Sequence, residues 1–171
     1  LKFAYADPPY YGHAKFYAEH HPDALDWDNL DTHRDLIARL VDEFPDGWAL
    51  SLTSPNLHDI LPLCPRAARI GAWTKPFASF KPNVTVAYAW EPFIFMGGRK
   101  RTRAEQTVTD FVAANITLRK GLVGAKPRDF CFRIFEILNV KPGDEFVDLF
   151  PGTGAVSAAL QVYQRQCEMV V

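Results

Sequence analysis

Cysteine is scarce in this chain. Three are present (Cys64, Cys131, Cys167), far apart and never in CxxC spacing, which argues against a disulfide scaffold or a zinc knuckle and fits a reducing cytoplasm. No apolar run approaches the roughly 18 residues of a membrane span, and no signal peptide opens the chain. No GK[ST] follows a glycine turn, which excludes a phosphate-binding P-loop. The five histidines include the adjacent pair His20-His21 but no HxxxH or HxxE pattern, so no metal site is expected. Internal repeats and low-complexity segments are absent as well. The chain opens on Leu1, already inside a strand-like run, and the expectation is of processing or a cut at that end.

What remains is ordinary in bulk and uneven in charge. Residues 1–171 read as one domain, long enough to bury a real core. The net charge of −1 hides an asymmetry: residues 1–65 carry 4 Lys/Arg against 11 Asp/Glu, residues 66–133 carry 13 against 4, and residues 134–171 carry 2 against 5. A basic middle between acidic ends suggests a localised surface for a polyanion. Its densest part is Arg99, Lys100, Arg101 and Arg103. Trp73, Phe77 and Phe80 alternate with Lys75 and Lys81, a pattern that suits nucleic acid or core packing equally.

Residues 2–6 read as a strand. Residues 11–30 read as a long loop with Tyr11, His13, Lys15, Tyr17 and Trp27, unusual enough to suggest a lid. Asp31 or Thr32 is expected to cap a helix through about Phe44. Strands are expected over 48–53, 69–73 and 84–96, with a short helix opening at Ser54-Pro55. Thr102-x-x-Glu105 has a capping-box spacing and predicts a helix to about Ala114. Pro127 opens an amphipathic helix with Phe130, Ile134, Ile137 and Leu138 on one face, closed by Pro142-Gly143. Residues 145–150 are a strand, 151–154 a tight turn, and a helix follows. This alternation predicts an α/β fold with a mostly parallel sheet and helices on both faces.

Two motifs stand at strand ends, where open α/β sheets place their ligands. Asp7-Pro8-Pro9-Tyr10 combines an acceptor-only carboxylate with two proline carbonyls that carry no competing N–H. The proline pair stiffens the turn, and Tyr10 offers a flat face for a base. Taken alone, the tetrapeptide is also a reasonable strand-ending turn. In Asp148-Leu149-Phe150-Pro151-Gly152-Thr153-Gly154, the glycines permit a tight turn and close approach of a ligand to backbone. The helix start behind them favours an anion.

Together these motifs resemble the S-adenosylmethionine-dependent DNA amino-methyltransferases, whose signatures are (D/N/S)PP(Y/F/W) and FxGxG. The order, catalytic motif first and cofactor motif last, resembles the circularly permuted beta class and its short phage-encoded members. Lys126-Pro127 stands where that class has a KP segment, and residues 87–92 resemble a late strand motif. The resemblance covers residues 1–165. It implies a Rossmann-like fold, S-adenosylmethionine as cofactor, and duplex DNA with a flipped-out base as substrate. It implies that Asp7, Pro8, Pro9 and Tyr10 hold the base. Asp7, Lys126, Asp148, Phe150, Gly152 and Gly154 would surround the cofactor, with Glu168 the candidate ribose acid. Lys75, Lys81, Arg99, Lys100, Arg101 and Arg103 would contact DNA. Residues 97–124 are a minimal target-recognition segment, so specificity is expected to be weak or supplied by a second subunit or a second copy. An Asp-first motif points to adenine N6. The alternatives are cytosine N4 and a catalytically silent nucleic-acid-binding subunit. The expected setting is the cytoplasm of a bacterial or phage-infected cell, in restriction-modification or a similar role.

Overall fold

The computed structural model describes residues 1–18, 22–77, 83–116 and 125–169. Strand β1 (Lys2–Ala6) lies inside a six-stranded sheet with β2 (Gly47–Ser51), β3 (Arg69–Thr74), β4 (Trp90–Gly97), β5 (Phe111–Ala113) and β6 (Glu145–Asp148), in the order β5-β3-β4-β2-β1-β6. β1 runs parallel to β2 and β6, and β3 parallel to β5. Of these six, only β4 is reversed, against its neighbours β2 and β3. The expected mostly parallel sheet is what forms.

The period-2 alternation of side chains divides the core into two layers. Phe3 and Tyr5 face α3 (Arg128–Leu138) and α4 (Ala155–Glu168), where Phe130, Ile134, Phe135 and Leu138 pack. Ala4 and Ala6 face α1 (Leu30–Glu43) and the short α2 (Leu57–Ile60), whose Leu36, Ile37, Leu40 and Ile60 cover Trp48, Leu50 and Ile94. Each such large side chain, removed from water, contributes about 1.5–3 kcal/mol. Gly71 is forced by this packing, because a Cβ there would fall 2.1 Å from the Phe93 ring and 2.7 Å from the Asp110 carbonyl.

Several expectations change. The cap of α1 is Asn29, which accepts from the Asp31 amide at 3.0 Å, rather than Asp31 or Thr32. Residues 84–89 form no strand, and β4 starts at Trp90. No helix runs from 102 to 114. Glu105 does accept from the Thr102 amide at 2.7 Å, but its other oxygen takes Lys141 Nζ at 2.8 Å. The contact closes a turn, the β-branched run Thr107-Val108-Thr109 disfavours a helix, and Phe111–Ala113 pairs with β3. Helix α3 ends at Asn139, in the left-handed region at φ 53°, ahead of the expected Pro142-Gly143. Among the described residues no helix is long and apolar enough to cross a membrane.

The sheet therefore has two unlike edges. Asp7, Ser51, Thr74, Trp90 and Asp148 stand at the end where the five like-directed strands finish. Lys2, Gly47, Arg69, Gly97 and Glu145 stand at the other.

Candidate active site at the strand-end edge

Asp7-Pro8-Pro9-Tyr10 leaves the central strand at the finishing edge, and β6 brings the glycine turn beside it. The Leu149 amide donates to the Tyr5 carbonyl at 2.9 Å, so the two motifs are adjacent by register. Helix α3 supplies the third part, Lys126, from the turn before its first residue. Lys126 Nζ lies 2.9 Å from Asp7 Oδ1, 2.8 Å from Oδ2 and 3.1 Å from the Tyr10 hydroxyl. The Tyr10 hydroxyl donates to Asp7 Oδ1 at 3.1 Å. These groups form a closed ring in which Lys126 is 7% exposed and Asp7 21%.

Burial works against the Lys126 charge, yet Asp7, Tyr10, Tyr5 and Glu91 together hold its ammonium well above the usual lysine range. Burial first, and the Asp7 charge next, hold the Tyr10 phenol well above its ordinary value. Tyr10 is thus a neutral hydroxyl, and Lys126 a fixed cation, at any physiological pH.

The glycine turn has room above it. Gly154, at φ 75°, is the N-cap of α4 and offers no side-chain cap to the helix amides. A Cβ on Gly154 would meet nothing within 4 Å, and one on Gly152 only the Phe150 carbonyl at 3.8 Å. Asp148 Oδ1 accepts from the Phe150 amide at 3.2 Å, but Oδ2 is buried without a hydrogen-bond partner. Burial, with the Asp7 charge adding to it and the Phe150 amide opposing, raises the Asp148 carboxyl. An orphaned acceptor beside an open glycine cradle fits a ligand that brings a cationic donor and an anion to the same turn. Phe150 turns its ring edge-on to Trp27, centroids 5.2 Å apart, and so joins the turn to the 11–30 segment.

The described residues of that segment make contacts along its length. Trp27 also packs on His33, the Tyr11 carbonyl accepts from Asn56 at 3.0 Å, and Asp28 accepts from the Ala14 amide at 3.2 Å. Tyr17 stands close enough for the Asp7 charge to raise its phenol alongside burial. The pair His20-His21 lies outside the described residues.

Glu168 is not at this site. It ends α4, and fourteen residues at 1.5 Å each place it about 20 Å from the turn. Nor are all the basic residues disposed for phosphate. Arg99 pairs with Asp144 at 2.6 Å and donates to the Asn139 carbonyl, and Arg101 donates to the Glu136 carbonyl. Both neutralise the carbonyl end of α3, where a helix favours cations. Lys100 and Arg103 are exposed, but the whole cluster follows Gly97, at the edge opposite Asp7. Lys75 does lie at the Asp7 edge, paired with Glu91 and 4.8 Å from the Trp73 ring centroid. Lys81 and Phe80 lie outside the described residues. A cavity of about 260 Å³ lined by Arg69, Phe95, Arg101 and Asp110 opens at the far edge, away from this chemistry.

Sequence reasoning passed over Tyr5 and Ser51, whose hydroxyls meet at 2.7 Å beneath the site. Their signal was present: each is a polar atom on a strand otherwise buried on both faces.

No family model matches the chain, and no curated protein matches it. Solved structures do. M1.HpyAVI in complex with SAM superposes at a TM-score of 0.62 with 14% identity, over 96% of this chain and 78% of that one. TTHA0409 of Thermus thermophilus, provisionally assigned as a DNA modification methylase, superposes at 0.56 with 16% identity, over 96% and 77%. The same protein complexed with S-adenosyl-L-methionine gives 0.54 with 17% identity, over 96% and 78%. At these identities the likeness establishes the architecture, and this chain has the same fold as those proteins.

Proposed function

We propose that the chain is an S-adenosylmethionine-dependent methyltransferase acting on an exocyclic amino group of a DNA base, adenine N6 first. The observation that carries this reading is the placement of the Asp7–Tyr10 acceptors beside an open glycine turn whose Asp148 Oδ2 is buried and unpartnered. The names of the structural neighbours, a SAM complex and a DNA modification methylase, point the same way.

An aromatic amine is a poor nucleophile because its lone pair is delocalised into the ring. Asp7 and the Pro8 carbonyl accept its N–H bonds, draw the nitrogen towards tetrahedral geometry and stabilise the positive charge that develops there. Tyr10 gives the flipped base a face to stack on. S-adenosylmethionine, when bound, supplies an electrophilic methyl group on sulfur. Asp148 would take its ammonium, and the α4 amides with Lys126 its carboxylate. Gly152 and Gly154 keep the cradle open to it. The base enters from the strand-end edge, where Phe77, Tyr88 and Trp90 are exposed at 63%, 61% and 40%. These aromatics suit nucleic acid by stacking, and we place the DNA there.

The test is transfer of a labelled methyl group to genomic DNA, followed by hydrolysis and mass spectrometry of the nucleosides. N6-methyladenine is the expected product. N4-methylcytosine would move the base assignment, and no methylated base would overturn the reading.

A further inference from the structure

We propose that Lys126 gates the acceptor carboxylate: it holds Asp7 and Tyr10 until a cofactor carboxylate draws it away, so that base capture waits for the cofactor. The inference rests on the function proposed above and goes beyond it by assigning an order of binding and the residue that enforces it.

An ionised carboxylate has about four lone-pair directions. In Asp7, Lys126 and the Tyr10 hydroxyl both donate to Oδ1, and the ammonium also lies 2.8 Å from Oδ2 as an ion pair. The Tyr10 oxygen is itself occupied by Lys126 at 3.1 Å. A base amino group needs the same acceptors, and it becomes positive as the methyl is transferred. An ammonium 2.9 Å from one Asp7 oxygen and 2.8 Å from the other opposes that charge directly. Lys126 and an activated amine are therefore competitors for one carboxylate.

A second observation supplies the alternative partner. The first amides of α4 have no side-chain cap, because Gly154 is the N-cap. Such a helix start favours an anion, and it follows the glycine turn that leaves β6 next to the end of β1. Lys126 sits on a flexible four-carbon stem just ahead of α3, whose Phe130 and Cys131 pack with Val156 in the first turn of α4. An anion on the α4 amides would thus be met by Lys126 as well. The charges then balance. Asp148 keeps an unpartnered oxygen for a cationic group, and Asp7, released, faces the amine. A zwitterion satisfies both ends at once, whereas a ligand lacking the carboxylate gives Lys126 no reason to leave.

The experiment uses the full chain and a DNA duplex with 2-aminopurine at the base that the methylation assay identifies. Fluorescence reports that base leaving the stack. With S-adenosylhomocysteine, capture is expected to be about tenfold tighter than with protein alone, an ordinary coupling. With 5′-methylthioadenosine, which lacks the amino-acid end, no gain is expected. In K126M, capture should be tight without any cofactor analogue. A lysine that only braces the site would give the reverse, with capture weakened in K126M under every condition. Equal capture by wild type with and without S-adenosylhomocysteine, or K126M still needing it, would overturn the gate. Should K126M fail to fold, the wild-type arms decide the matter alone. If no methylated base is found, the functional reading and the gate fall together. If one is found and capture ignores the analogue's carboxylate, only the gate falls.

Discussion

Asp7 receives two donors, Lys126 and the Tyr10 hydroxyl, so its loss acts on chemistry and on stability by separate routes. D7A is expected to lower methyl transfer by at least about 10³-fold, because it removes a preorganised acceptor for the developing charge. It also strands a buried ammonium, which costs about 3 kcal/mol when a buried pair loses one partner. Denaturant unfolding should show that loss. The double variant D7A/K126M should recover much of the stability and none of the activity. Recovery of activity would mean that Asp7 serves only to neutralise Lys126.

Asp148 offers the opposite trade. Its carboxyl is raised by burial, so the protonated form is favoured in the folded state. Its contribution to stability is present at low pH and is lost as the pH rises through that raised value. D148N should therefore stabilise the protein at neutral pH, because a neutral amide does not place an ionised carboxylate at this buried position. The ionised form is the one that would hold a cationic ligand. Wild-type affinity for S-adenosylhomocysteine should fall as the pH is lowered through the same value, and D148N should bind weakly with a flat pH profile. Calorimetry at several pH values checks both points.

At the scale of elements, the C-terminal end of α3 shows why a basic cluster need not be a binding surface. Arg99 and Arg101 cover its last carbonyls, and Arg99 meets Asp144, whose side chain is only 5% exposed. Burial pushes the Asp144 carboxyl up, but Arg99, the Leu1 ammonium and the Lys141 amide more than offset it and bring it to about 2. A carboxylate held this low contributes stability that is present above about pH 4 and lost as the pH falls towards 2. R99A should lower the melting temperature at neutral pH, with a cost of about 1–2 kcal/mol, and flatten the acid limb of the melting curve. An unchanged acid limb would show that the other donors to Asp144, the Leu1 ammonium and the Lys141 amide, hold it without Arg99.

This region also marks where sequence reading stopped. Apolar spacing locates α1 and α3, strand-like runs ending at a proline or a turn locate β1, β2 and β6, and α4 is expected behind the glycine turn. The Thr102–Glu105 spacing predicts a helix start because local sequence cannot show that Glu105 is claimed by Lys141, 36 residues away. The same limit hid the Lys126–Asp7 pair, which joins residues 119 apart. The motifs were legible as local chemistry. Their mutual occupation was not, since it depends on how α3 meets the end of β1.

At the scale of the molecule, the reversed strand β4 decides which surface can serve DNA. Because β4 runs against β2, its start at Trp90 stands at the edge of Asp7 and its end at Gly97 at the other, an eight-residue strand apart. At about 3.3 Å per residue the edges are roughly 25 Å apart. Charges at 99–103 could touch DNA only well away from a base held at Asp7. Neutralising Arg99 and Arg101 together should therefore leave the dependence of log K on log salt unchanged, where two lost phosphate contacts would reduce its slope by about 1.8. The aromatics at the near edge make the contrasting case. Tyr88 is 61% exposed, so Y88A should barely alter the melting temperature. If its ring stacks on DNA, the substitution should weaken binding by about 1 kcal/mol, or roughly fivefold, with little change in salt slope, because stacking releases no counterions. Cofactor affinity should stay the same, since the glycine turn lies across β2 and β1 from this patch. Fluorescence anisotropy of a labelled duplex over a salt series measures both variants. A reduced slope in the Arg99/Arg101 variant with unaltered binding by Y88A would put the DNA on the far edge and detach it from the Asp7 site.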